Sequence, residues 1–225
     1  MSEVKYTRPA DIEKASMDII RSELAARKII LDPAHEAVVL RAIHATADFD
    51  YAETITFTPG AMERGTSALA AGADIVTDTN MAKAGISKSA LNKSGGKLFC
   101  YMADPEVAVT ARSAEVTRAV ASMRKSAREH PGAVLAVGNA PTALLELCAL
   151  IENGLRPPLI IGVPVGFVNV VESKQHLLEI CQQCGVPAIV ALGRKGGSNV
   201  AAAICNALLY IATGTLDPIE RYTKH

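Results

Sequence analysis

The chain has no tryptophan, and aromatic residues make up only 4% of its 225 positions. A platform that stacks the bases of single-stranded nucleic acid needs exposed aromatic faces, so this composition argues against one. A surplus of one charge is missing too, because 23 basic and 23 acidic residues cancel. No general field draws in nucleic acid or an anionic membrane, and an anionic ligand must be held by local cations or helix N-termini. Long hydrophobic runs are absent. The most apolar stretch, Pro157–Val171, is interrupted by Gly162, Pro164 and Gly166 and is too short to span a bilayer. The segment Met1–Ala10 is polar and charged, unlike a secretory leader.

The five cysteines are an odd number without a secretory context, so reduced thiols and a cytoplasmic location are expected. Cys181 and Cys184 form a C-x-x-C pair with no second pair and no βαβ redox setting, which favours bystander thiols over a metal or redox centre. The sequence carries no HExxH, no His–carboxylate set with metal spacing and no GxSxG elbow. Nor does it carry GxGxxG or GxxxxGK[ST]. Redox, nucleotide-hydrolysing and zinc-hydrolase chemistries lack their usual supports, and neither metal nor cofactor is expected.

What is present is a core of Ala, Val, Ile and Leu in a chain that is 49% hydrophobic and 20% charged. Short apolar, β-branched runs predict strands at Thr54–Phe57, Asp74–Thr77, Leu98–Tyr101, Val134–Val137, Leu159–Gly162 and Ala188–Leu192. Helical periodicity predicts helices over Ala10–Ala26, Pro33–Asp48, Ala61–Ala71, Asn80–Ala84, Ala114–Glu129, Pro141–Glu152, Ser173–Cys184 and Ser198–Ala212. Strand followed by helix, repeated, is the pattern of a three-layer α/β/α fold with a mostly parallel sheet. The first two helices precede the first strand and are expected to cap one side of the sheet or to form a dimer surface. No linker divides the chain, so 1–225 reads as one domain.

In such sheets ligands bind beyond the carboxyl ends of the strands. That rule selects Thr77–Lys83, Gly138–Thr142, Gly162–Asn169 and Gly193–Asn199, all strand exits rich in small or polar residues. The strongest is Gly193-Arg194-Lys195-Gly196-Gly197-Ser198-Asn199. Glycines such as Gly196 and Gly197 let a ligand approach the main chain. Ser198 is placed to cap the next helix, whose N–H groups favour an anion. Arg194 and Lys195 add cations, and no acidic residue occurs between Glu179 and Asp217. An ordinary glycine-rich turn with solvated charges is the competing reading.

A second acid-free stretch holds Lys83, Lys88, Lys93 and Lys97; only Lys83 follows a strand exit, and the others read as wet surface. Asn139 and Thr142 offer neutral hydrogen bonds, although a capped helix start explains them almost equally well. Of the five histidines, His35, His130, His176 and the terminal His225 suggest no chemistry. His44 shares a helical stripe with Ala37 and Leu40, near Arg41 and Asp48. Its imidazole is able to exchange a proton near neutrality. A satisfied helix histidine is the more common outcome for such a pattern taken alone.

Several runs together resemble one family, the precorrin-8X/cobalt-precorrin-8 methylmutases. They are Val137-Gly138-Asn139-Ala140-Pro141-Thr142-Ala143-Leu144, Gly162-Val163-Pro164-Val165-Gly166-Phe167-Val168 with Glu172-Ser173-Lys174, and Gly193–Ser198. Arg41-Ala42-Ile43-His44 is similar to that family's catalytic-histidine segment, Thr117-Arg118 to its arginine position, and Ala15-Ser16 and Asp78–Gly85 also match. The similarity runs from about Tyr6 to Ala212.

The resemblance implies a flavodoxin-like domain, a homodimer, and migration of a methyl group from C-11 to C-12 of precorrin-8 or cobalt-precorrin-8. The product would be hydrogenobyrinate or cobyrinate, in cobalamin biosynthesis. It implies His44 as proton donor, with Ser16 and Arg118 in a pocket for the tetrapyrrole. Lys83, Asn139, Thr142, Arg194, Gly196, Gly197 and Ser198 are the further expected contacts. No external methyl donor is implied, and no nucleic acid or membrane partner is expected. Three rivals stand beside this reading: a non-catalytic tetrapyrrole carrier; an α/β enzyme or regulator for phosphorylated metabolites that uses Gly193–Ser198 as a phosphate nest; and a purely structural subunit, which would leave the polar strand exits without purpose.

Overall fold

Each apolar run becomes a strand in the computed structural model, which describes residues 7–223. The strands are β1 (Ile55–Phe57), β2 (Ile75–Thr77), β3 (Leu98–Phe99), β4 (Val134–Val137), β5 (Ile160–Gly162) and β6 (Ala188–Ala191). They form a single sheet in the order β1-β6-β5-β4-β2-β3. Successive residues feed opposite faces. Val134 and Ala136 join one core while Leu135 and Val137 join the other, as period-two geometry requires of strands covered on both sides.

One helical layer contains α2 (Glu36–Thr46), α5 (Asn80–Gly85), α6 (Lys88–Ser94) and α11 (Ser198–Ala212), with α4 (Ala61–Ala70) packed among them. The other contains α8 (Arg118–Glu129), α9 (Pro141–Glu152) and α10 (Val170–Cys184). The helix α7 (Pro105–Ser113) packs beside α8. Outside the first layer, α1 (Pro9–Ala26) lies across α2 and meets the final helix α12 (Pro218–Thr223). The pairs Arg21–Glu36 and Arg41–Glu13 fix α1 antiparallel to α2.

Five strands are parallel, and β2-β4-β5-β6 with β3 outside β2 reproduces the flavodoxin-like order. The sixth departs from a purely parallel plan. β1 pairs antiparallel to β6, with Ile55 opposite Ala191. The chain therefore enters β1 from the rim where the other strands exit. The helix α3 (Tyr51–Thr54), which the sequence pattern did not predict, makes that entry.

Other boundaries shift for local reasons. α8 starts at Arg118 rather than Ala114, because Glu115 takes a positive φ of 52° and the Thr117 hydroxyl caps the helix. α2 starts at Glu36 rather than Pro33, after a turn in which the Asp32 carboxylate accepts from the Ala34 N–H. α6, α7 and α12 were also unforeseen. His225 lies outside the described residues.

Candidate functional site

The strand order reverses between β2 and β4, and at such a point neighbouring exits part to leave a crevice. Asp78, the residue after β2, builds the crevice wall. Its carboxylate accepts three backbone N–H groups of the β4 exit, those of Gly138, Asn139 and Ala140, each at 2.8 Å. The side chain is almost wholly buried, and burial raises its pKa although the three hydrogen bonds pull the other way. Asp78 is a site residue that sequence reasoning missed.

The neighbouring exits close onto the same place. The hydroxyls of Thr79 and Ser198 are 2.8 Å apart, which joins the β2 and β6 exits. Ser198 does not cap α11: it is the first helical residue, after the N-cap Gly197, and its hydroxyl is turned to Thr79. A Cβ on Gly138 would lie 2.8 Å from the Ser198 Cα, so only glycine lets these two loops touch. A Cβ on Gly196 would run into the carbonyls of Val163 and Pro164, which brings in the β5 exit. On the other face the Thr117 and Thr142 hydroxyls are 3.0 Å apart, and this contact sets Arg118, at the start of α8, beside the β4 exit.

His44 sits in the last turn of α2, and its place follows from Lys195. The Lys195 ammonium lies 2.6 Å from carboxylate oxygens of both Asp48 and Asp50, just beyond that helix end. The histidine end of α2 is therefore moored to the β6–α11 loop, at the rim. The same contacts correct the charge balance of that loop. Lys195 is not a free cation: Asp48 and Asp50, distant in sequence, hold its pKa up, leaving Arg194 as the available charge.

Burial lowers the His44 pKa and the adjacent Arg41 guanidinium lowers it further, while Glu13 opposes them. Glu13 is itself nearly buried and bound by Arg41 at 2.6 Å and by Arg221 at 2.7 Å, with both guanidiniums set against the Tyr210 ring. Burial raises the Glu13 carboxyl, but the two arginines outweigh it and hold the pKa below the usual range. Ser16 lies on α1, one turn beyond Glu13. Its hydroxyl donates to Ile12 within its own helix, and no hydrogen bond joins it to α2 among the described residues. A cleft of about 400 Å³ opens between α1, α2 and residues 216–218, lined in part by Glu13, Met17 and Arg41. It contains none of the strand exits.

The remaining expected residues share one property. Among the described residues, the side chains of His44, Lys83, Arg118 and Asn139 make no hydrogen bond and no ion pair, and the Arg194 guanidinium meets only the exposed Phe167 ring, at 5.7 Å. Donors and cations without partners, carried on strand exits and on helix ends beside them, suit a large polyanionic ligand. No group of three or more metal-ligating side chains occurs among the described residues. None of their helices is long and apolar enough to cross a membrane.

The family model described as Precorrin-8X methylmutase matches residues 11–211. The chain belongs to the precorrin-8X methylmutase family. It is 40% identical over 206 residues to the cobalt-precorrin-8 methylmutase of Priestia megaterium, covering 91% of this chain and 89% of that one. With the cobalt-precorrin-8 methylmutase of Salmonella typhimurium it shares 42% identity over 207 residues, covering 90% and 95%. With the precorrin-8X methylmutase of Pseudomonas aeruginosa it shares 37%, covering 91% and 97%. A crystal structure of the precorrin-8X methylmutase from Thermus thermophilus superposes with a TM-score of 0.80 at 41% identity, covering 90% of this chain and 98% of that one. Membership makes this methylmutase an isomerase, an intramolecular methyl transferase.

Proposed function

We propose that the rim of strand exits is where this methylmutase isomerises precorrin-8 or its cobalt form to hydrogenobyrinate or cobyrinate, moving a methyl group from C-11 to C-12. What supports the reading is that the polar side chains borne on the strand exits and the neighbouring helix starts, Lys83, Arg118, Asn139 and Arg194, have no hydrogen-bond or ion-pair partner among the described residues. A corrin precursor is a broad ring edged with carboxylates. Arg118, Arg194 and Lys83 meet those carboxylates with charge, and Arg118 suits a two-pronged pairing. Asn139, Thr142 and Ser198 add neutral hydrogen bonds, while Gly196 and Gly197 let the ligand close on the main chain. The C–C bond at C-11 breaks as the one at C-12 forms, so no oxidant or outside methyl donor enters the balance.

His44 lends the ring a proton and takes one back as the product forms, a role that contributes about 10²–10⁴-fold. Its depressed pKa makes the imidazolium a readier donor. Bound carboxylates favour the charged ring and keep it loaded. Ser16 is assigned one further hydrogen bond on the family resemblance, although its hydroxyl donates to the Ile12 carbonyl within α1.

We read the chain as one domain in a cytoplasmic homodimer. The five unpaired cysteines suit a reducing compartment. The exposed Ile12 and Ile19 on the outer side of α1 offer an apolar face to a second copy.

The test is to titrate purified protein into hydrogenobyrinic or cobyrinic acid and follow the visible spectrum. A saturable change is expected. A spectrum left untouched by millimolar protein would refute the assignment of this site.

A further inference from the structure

Lysine is almost never fully buried without a countercharge. Lys174, in the first half of α10, is nevertheless completely enclosed. No carboxylate lies within ion-pair distance of it among the described residues, and its ammonium bonds only two backbone oxygens, Gly193 O at 2.9 Å and Lys195 O at 2.7 Å. An apolar residue of similar length would fill the space without removing a charge from water, so packing alone does not account for a lysine here.

The two carbonyls belong to the β6–α11 loop. No peptide bond in the described chain is cis, and in a trans peptide the N–H points opposite to the C=O. Drawing Gly193 O and Lys195 O down to one ammonium therefore turns the N–H groups of Arg194 and Gly196 away from Lys174. Neither of these amides has a hydrogen-bond partner among the described residues. Such paired, outward amides form an anion-binding concavity, and the α11 N-terminus follows directly.

We propose that Lys174 is a positioning residue for the methylmutase site: its buried ammonium holds the Gly193–Gly197 arch in the form that offers the Arg194 and Gly196 amides to a substrate carboxylate. The inference rests on reading the rim as the corrinoid site. Burial pushes Lys174 down to about 8. Charged neighbours do not compensate it. On its own helix Glu172, His176 and Glu179 are exposed. On α9 Glu146 is engaged by Arg124, and Glu152 makes no ion pair with Lys174. On the arch Lys195 is engaged by Asp48 and Asp50, and Arg194 faces Phe167; Glu53 on α3 is exposed. The arch should therefore loosen as Lys174 loses its proton.

The experiment measures hydrogenobyrinic acid binding from pH 6.5 to 9.5 for the wild type, Lys174→Met and Lys174→Gln, together with the amide shifts of Arg194 and Gly196 in ligand-free wild type. Wild-type affinity should fall at least ~5-fold as pH rises through the Lys174 titration. Lys174→Met should bind at least ~5-fold more weakly at pH 7 and show no such fall, and Lys174→Gln, a neutral donor, should lie between them and also be flat. The two amide shifts should titrate together with the Lys174 ammonium. Wild-type affinity in Lys174→Met at pH 7, or the same alkaline fall in that variant, would overturn the proposal. If the variants do not fold, amide shifts that stay still across the Lys174 titration overturn it. Failure of the corrinoid reading looks different: no binding by wild type at any pH, with the amides still titrating.

Discussion

Replacing Asp78 by asparagine changes one oxygen for an NH₂ group and little else in volume. In the native chain one carboxylate oxygen accepts from Gly138 and the other accepts from both Asn139 and Ala140, all at 2.8 Å. The asparagine oxygen is able to keep the latter two bonds. Its amide then faces the Gly138 N–H, donor against donor, in a buried place. An unsatisfied buried group costs about 1–3 kcal/mol, and two charge-assisted bonds become neutral ones at about 1 kcal/mol each. Relief from burying a charge, the cause that raises the Asp78 pKa, returns part of this. The net expectation is a loss of about 2–3 kcal/mol in urea unfolding. Because the three amides form the wall of the crevice, corrinoid affinity should fall at least ~10-fold even under fully folded conditions. Asp78→Asn unfolding within ~0.5 kcal/mol of wild type, with unchanged affinity, would refute the argument that this carboxylate builds the wall.

Two further outcomes follow from neighbouring geometry. General-acid catalysis needs the imidazolium, so kcat/KM should decline as pH rises through the lowered pKa of free His44; Arg41→Met removes a nearby cation and should move that limb to higher pH, and an unmoved limb would exclude Arg41 as its cause. Gly196→Ala places a methyl against the Val163 and Pro164 carbonyls and should displace the arch, reducing corrinoid affinity by ~10-fold or more in the same spectral titration, whereas native affinity would mean that the close approach has no part in binding.

The strands were legible because continuous Val, Ile and Ala runs such as Val134–Val137 and Ala188–Ala191 suit strands covered on both faces. The α7 segment hid behind Val107-Ala108-Val109-Thr110, which suits a strand as well as a helix, although the pair Asp104-Pro105 is a readable helix start. The direction of β1 was not readable, since alternation fixes which face a residue takes and says nothing of the strand's polarity.

The strand-exit rule selected the four loops that do meet. It misjudged the interior of those loops. Lys195 looked free because no acid lay near it in sequence, yet its partners come from the segment that leads into β1, which the fold sets beside β6. Lys174 and Asp78, though both lie in runs that resemble the family, were given no role for the same reason. Each acts on the backbone of a distant loop, and neither has a sequence neighbour that reveals the bond.

The account stands on His44 as the proton donor at the rim. The most direct measurement compares turnover by wild type and His44→Ala, with product affinity measured alongside. Turnover should drop by about 10²–10⁴-fold while product affinity stays within ~3-fold. Near-native turnover without the imidazole would contradict the account.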